Sequence, residues 1–187
     1  MKGFFFGSFD PPHIGHVNVV TTALNSGLVD EVKVIPAFKS VWKNTETPFS
    51  LRLAMCQAAF SNLIKVSVLD IEESLSKGNP LPTYKVIDYL KSTEENPFKI
   101  IVTTETYSEI PLWQNGEDIL KWNDFIIVDS SHFFKENLDI RENNIIFAPD
   151  ITICSTNLRE KIQNGKIVKP FIDDKTLSII NKFNLYK

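Results

Sequence analysis

The sequence predicts an α/β fold, Rossmann-like and doubly wound, with a mostly parallel sheet of about six strands and C-terminal closing helices. Short β-branched or aromatic runs recur along the chain, and segments with helical period lie between them, so strand and helix alternate. The chain has 187 residues, 43% hydrophobic and 23% charged. That is the length and composition of one ordinary globular domain, expected here over residues 1–187.

The first strand is Phe4–Phe6, and the helical spacing of Ile14, Val17, Val20 and Leu24 follows it. Val32–Ile35 is the second strand, and Leu51–Phe60 reads as a helix with Ser50 as its N-cap. Val66–Leu69 is the third strand, succeeded by a helical segment over Tyr84–Leu90. Ile100–Val102, Phe125–Val128 and Ile145–Phe147 complete the strands. After Ile151–Ile153 the pattern turns helical at Ser155–Gln163 and Asp173–Phe183, separated by Asn164–Gly165 and Pro170. These two segments close the domain and do not begin another. No internal repeat or low-complexity tract interrupts the pattern. Ligands of such sheets bind beyond the carboxyl ends of the strands, so the loops leaving strands are the places to search.

The formal net charge of -3 offers no broad attraction for nucleic acid or for an anionic membrane, so an anionic ligand must be held by locally placed groups. Cys56 and Cys154 have neither metal-ligand spacing nor a disulfide framework, which predicts a reducing, cytoplasmic setting. The apolar run at Phe4–Phe6 is too short for a signal peptide, and no stretch approaches membrane-spanning length.

The most informative segment runs from Gly7 through Ser8, Phe9, Asp10, Pro11, Pro12, His13, Ile14 and Gly15 to His16, between the first strand and the first helix. Gly7 lets the backbone turn closely past a ligand, the prolines stiffen the loop, and the helix start is expected to present unpaired amides to an anion. His13 and His16 would share one face of the first turn, with Gly15 leaving room for a substrate. Zinc ligation is disfavoured, because helical metal pairs prefer i,i+4 spacing and no third ligand is near. Near the other end, Cys154, Ser155, Thr156, Asn157 and Leu158 lead from a strand into a helix with Arg159 one turn on, a second anion-binding pattern.

The first segment resembles the Gly-[Ser/Thr]-Phe-Asp-Pro-x-His-x-Gly-His signature of the nucleotidyltransferase superfamily. The second resembles that family's Ile-Ser-Ser-Thr-x-[Ile/Val]-Arg motif, with Cys154 in place of the first serine. The resemblance implies that Gly7, Ser8, Phe9, His13 and His16 bind ATP and that Ser155, Thr156 and Arg159 hold its β- and γ-phosphates. It further implies Lys43 in the loop after the second strand as a catalytic cation beside His13, His16 and Arg159. Arg52 opens the next helix where relatives carry an arginine, and is expected as a helix-surface residue.

The middle of the chain, Thr103 to Trp113, resembles the Gly-Ala-Asp-Ser-Leu-x-x-[Leu/Ile]-x-x-Trp stretch of nicotinate-nucleotide adenylyltransferases. That similarity implies Trp113 stacking on a pyridine ring, a face suited to an electron-poor aromatic. Thr83, Tyr84 and Lys85 resemble a Ser-Tyr-Thr segment whose loop offers amides to the nicotinate carboxylate. Thr103 and Glu105 stand where the family has glycine and aspartate, which places Glu105 near the ATP sugar. Asp129 and Ser130 replace a stretch where relatives often have arginine.

Taken together, the resemblance implies transfer of the adenylyl group of ATP to nicotinate mononucleotide, with Mg²⁺ accompanying ATP and no metal held by the protein itself. Nicotinamide mononucleotide as acceptor, and a nucleotide-binding module without catalysis, are the competing readings. A homo-oligomer is compatible with all of them.

Overall fold

The computed structural model describes residues 1–39, 47–121, 124–129, 145–149 and 153–187. Six strands form one sheet: β1 (Lys2–Gly7), β2 (Glu31–Pro36), β3 (Val66–Val68), β4 (Phe98–Thr103), β5 (Phe125–Asp129) and β6 (Ile145–Phe147). Their order is β3-β2-β1-β4-β5-β6, and every neighbouring pair is parallel. The order reverses between β1 and β4, which opens a crevice at the carboxyl ends of those strands.

Eight α-helices accompany the sheet among the described residues: α1 (Ile14–Asn25), α2 (Phe49–Phe60), α3 (Ile71–Ser76), α4 (Thr83–Thr93), α5 (Thr104–Glu109), α6 (Gly116–Lys121), α7 (Ser155–Gln163) and α8 (Asp174–Lys182). Successive strand side chains face opposite sides of a sheet, and both sides are covered here. Phe5 and Ile101 join Val20 of α1 and Phe60 of α2 in one cluster, whereas Phe4, Ile100 and Val102 join Val86 and Leu90 of α4 in another. A third cluster gathers Met55, Leu158, Val168, Ile172 and Ile180, so α7 and α8 close onto α2.

Two local expectations change. The helix expected to begin at Leu51 after Ser50 begins at Phe49, and Pro48 occupies the cap position. Proline fixes φ at a value suited to entering a helix, so it ends the preceding segment without offering a side-chain bond. The short α3, α5 and α6 were not expected, since six residues give no room for a hydrophobic period to repeat.

Candidate active site

Gly7 ends β1, and the loop after it turns through Phe9, whose φ of 49° is left-handed. A side chain there is held in place by burial: Phe9 is 1% exposed and packs against Phe5, Phe60 and, at 4.9 Å between ring centroids, His16. Its ring therefore supports the site from within the core and is not available to a nucleotide. The same ring fills the space at Gly7, where an added Cβ would lie 2.9 Å from it.

His13 is the N-cap of α1, outside the helix proper, and its Nδ1 accepts from the Gly15 amide at 3.1 Å. His16 reciprocates, its Nδ1 accepting from the His13 amide at 3.1 Å. The rings lie 3.8 Å apart at 37°. With each Nδ1 accepting, the proton of a neutral ring belongs on Nε2, so the cap fixes the tautomer of both rings. Burial pushes the His13 pKa down to about 4, so at neutral pH this ring donates as an uncharged imidazole.

The expectation that α1 offers unpaired amides is overturned. Ile14 N donates to the Phe171 carbonyl at 2.8 Å, Gly15 N to His13, and His16 N to the His13 carbonyl at 2.9 Å. Gly15 makes room for the His13 ring, since a Cβ would stand 2.9 Å from that ring.

At α7 the opposite holds. Cys154 is its N-cap and makes no side-chain bond to the first turn, so among the described residues nothing caps the amides there and they suit an anion. This helix is fastened to the loop after β1: Ser155 Oγ donates to the Pro11 carbonyl at 2.9 Å, and Arg159 Nη1 to the Asp10 carbonyl at 2.7 Å. Arg159 Nη2 also reaches Thr156 Oγ1 at 3.3 Å, leaving the exposed Thr156 hydroxyl free to donate outward. The motifs, far apart in sequence, thus share one loop.

A cavity of about 420 Å³ adjoins this assembly. Gly7 and Ser8 line it, as do Ala37 and Lys39 after β2, Thr83 opening α4, and Trp113. Tyr84 and Lys85 do not: Tyr84 packs on the second core cluster, and Lys85 is exposed. Glu105 is exposed in the first turn of α5, which Thr103 caps by accepting from the Thr106 amide. Lys43 lies outside the described residues.

Two contributors were not anticipated. Arg52, expected on a helix surface, is 1% exposed and bonded to four backbone carbonyls. Its periodicity with Met55, Cys56 and Phe60, all buried, was the available signal. Glu72 also lines the cavity, is 4% exposed, and accepts from the Phe38 amide at 2.9 Å. Burial pushes its pKa up to about 7, against the opposing pull of that amide and of Arg52. Nothing in the sequence distinguishes it from Glu73.

Among the described residues, no group of three or more His, Cys, Asp or Glu side chains is arranged to hold a metal, and no helix is long and apolar enough to cross a membrane. The family model described as Cytidylyltransferase-like matches residues 4–161. The probable nicotinate-nucleotide adenylyltransferase of Hydrogenobaculum sp. (strain Y04AAS1) is 35% identical, the alignment covering 98% of this chain and 96% of the relative. That of Clostridium tetani (strain Massachusetts / E88) is 28% identical over 100% and 98%. The fold is shared with Plasmodium falciparum nicotinic acid mononucleotide adenylyltransferase complexed with NaAD, at a TM-score of 0.85, 24% identity, and coverage of 99% and 96%. With the family model spanning most of the chain and a relative above 30% identity along its whole length, the chain belongs to the cytidylyltransferase-like family and, within it, to the nicotinate-nucleotide adenylyltransferases.

Proposed function

We propose that this chain, acting as one domain over residues 1–187 in the cytoplasm, transfers the adenylyl group of ATP to nicotinate mononucleotide, giving nicotinate adenine dinucleotide and pyrophosphate. The observation that carries this reading is the reciprocal capping of His13 and His16 at the end of the loop that Ser155 and Arg159 fasten to the start of α7. Such an array suits a polyphosphate. His13, His16, Arg159 and Thr156 take the phosphates, with Ser155 contributing its amide because its hydroxyl is committed to Pro11. Lys43 is assigned its catalytic role from the sequence alone, and Glu105 is assigned to the ATP sugar.

The acceptor occupies the cavity, its pyridine ring against Trp113 and its carboxylate at the amides around Thr83. Tyr84 supports that helix start from the core side, and Lys85 adds a nearby positive charge. Mg²⁺ enters with ATP. The His13 and His16 Nδ1 atoms are occupied as acceptors, so these rings would not hold the ion, which would come with the ATP phosphates and would supply neutralisation of the triphosphate charge.

An acceptor phosphate oxygen attacks the α-phosphorus in line as pyrophosphate leaves. The nucleophile is already an anion, so no general base is required, and catalysis consists of positioning and charge stabilisation. Pyrophosphate release measured with ATP and each mononucleotide tests the assignment. Release with nicotinate mononucleotide is expected to dominate, whereas binding without release would refute it. His16→Ala should lower turnover by roughly 10²–10³. Turnover within a few-fold of wild type in a folded variant would remove His16 from the mechanism.

A further inference from the structure

We propose that Arg52 is a positioning residue for adenylyl transfer: from behind the site its guanidinium fixes the loop leaving β1 against the loop leaving β2, without touching either substrate. The proposal rests on the reaction assigned above.

The side chain is almost wholly buried, and its donors reach carbonyls from three separate stretches of chain. Nη1 donates to Ser8 O at 2.9 Å and Ala37 O at 2.7 Å, Nη2 to Phe38 O at 2.7 Å, and Nε to Thr47 O at 3.1 Å. Four of its five N–H donors are so committed, and the burial of the group sets it behind the site and not in it. The partners locate the effect, because Ser8 and Ala37 both line the cavity. Ser8 also precedes Phe9, the ring that backs His16.

Carbonyls crowded at the ends of neighbouring parallel strands repel one another, and a planar guanidinium meets four of them in a fixed fork where an ammonium has only three donors. The Asp10 and Glu72 side chains lie close enough to favour its charge against the cost of burial. A second link runs the same way: the Phe38 amide donates to Glu72, and the Ala37 amide donates to the Gly7 carbonyl at 2.9 Å. Phosphate-side loop and acceptor-side wall therefore share one brace. A misplacement of about 1 Å between reacting groups costs about 10² in rate.

Arg52→Lys in the full chain tests this. Turnover is expected to fall about 10²-fold, while the Kd for ATP alone and for nicotinate mononucleotide alone, read by calorimetry, each change less than about threefold. Turnover within about threefold of wild type in a folded variant overturns the proposal. So does an affinity loss for one substrate that accounts for the whole drop in kcat/KM at unchanged kcat, which would make Arg52 a ligand contact. Should the lysine variant not fold, Arg52→Gln, which keeps donors without the buried charge, carries the same comparison. Failure of both to unfold cooperatively would place Arg52 in the general core and likewise overturn the proposal. A wild-type enzyme inactive with nicotinate mononucleotide would indict the assigned acceptor instead, and the Arg52 comparison is then made with the mononucleotide that the wild type does adenylylate.

Discussion

At Gly15 an added Cβ would stand 2.9 Å from both Cε1 and Nδ1 of His13. The ring would have to swing away, breaking the bond from the Gly15 amide that fixes its tautomer. Gly15→Ala should therefore lower turnover by about tenfold or more while costing only about 0.5–2 kcal/mol of stability, the range for losing a helix cap. Kinetics and thermal unfolding on the same preparation check both numbers, and wild-type turnover would show that the donor geometry does not depend on this contact. Glu72 allows a pH experiment. Its pKa rises from an ordinary 4.5 to about 7 on folding, so the native state keeps its proton longer than the unfolded chain does. Stability attributable to Glu72 must then fall as pH rises from 4.5 to about 7 and stay level above, and Glu72→Gln should flatten that slope. Ionisation beside the acceptor also adds negative charge to a cavity meant for an anion. The wild-type kcat/KM for the mononucleotide should thus decline through about pH 7 relative to the glutamine variant, and parallel profiles would detach Glu72 from acceptor binding.

Among the elements, the strands were legible because buried parallel strands are written as unbroken apolar runs. The closing helices were legible from their flanking Asn164, Gly165 and Pro170. What escaped was the state of each helix start. Sequence places α1 and α7 on equal terms as anion sites, yet the first-turn amides of α1 are consumed by His13 and by Phe171, a residue 157 positions from Ile14 (171 − 14). No local pattern encodes that bond. The C-terminal α8 shows a cap that sequence does encode: Asp173 Oδ1 accepts from the amides of Lys175 at 3.0 Å and Thr176 at 2.9 Å. Removing it by Asp173→Ala should cost about 0.5–2 kcal/mol. Because α8 packs on α2 through the third cluster, and not against the cavity, the lower Tm should come with unchanged kcat at 25 °C. A comparable fall in kcat would show that α8 reaches the site.

Across the whole molecule, the terminal segment and the loop after β1 are tied by one side-chain bond: Tyr186 Oη donates to Asp10 Oδ1 at 2.7 Å across 176 positions. Asp10 is 5% exposed, and its carbonyl also receives Arg159. Leu185 and Tyr186 pack on the cluster of Met55, Leu158 and Ile180, so the same loop is held by α7 from one side and by the terminal segment from another. The sequence shows Tyr186 only as part of a familiar ending, since a pairing of this span has no local signature. Burial raises the tyrosine pKa well above its ordinary value, which keeps the hydroxyl a donor throughout the neutral range. Tyr186→Phe removes the donor and leaves a buried carboxyl oxygen unsatisfied, at a cost of about 1–3 kcal/mol. The same substitution made in an Asp10→Ala background should cost much less, because its acceptor is already gone, giving a coupling energy of about 0.5–3 kcal/mol in a double-mutant cycle followed by denaturant unfolding. Equal costs in both backgrounds would assign the role of Tyr186 to packing and to its hydrogen bond with Thr47. If the bond is the tie, Tyr186→Phe should also depress kcat, since the loop it holds carries His13 at its far end.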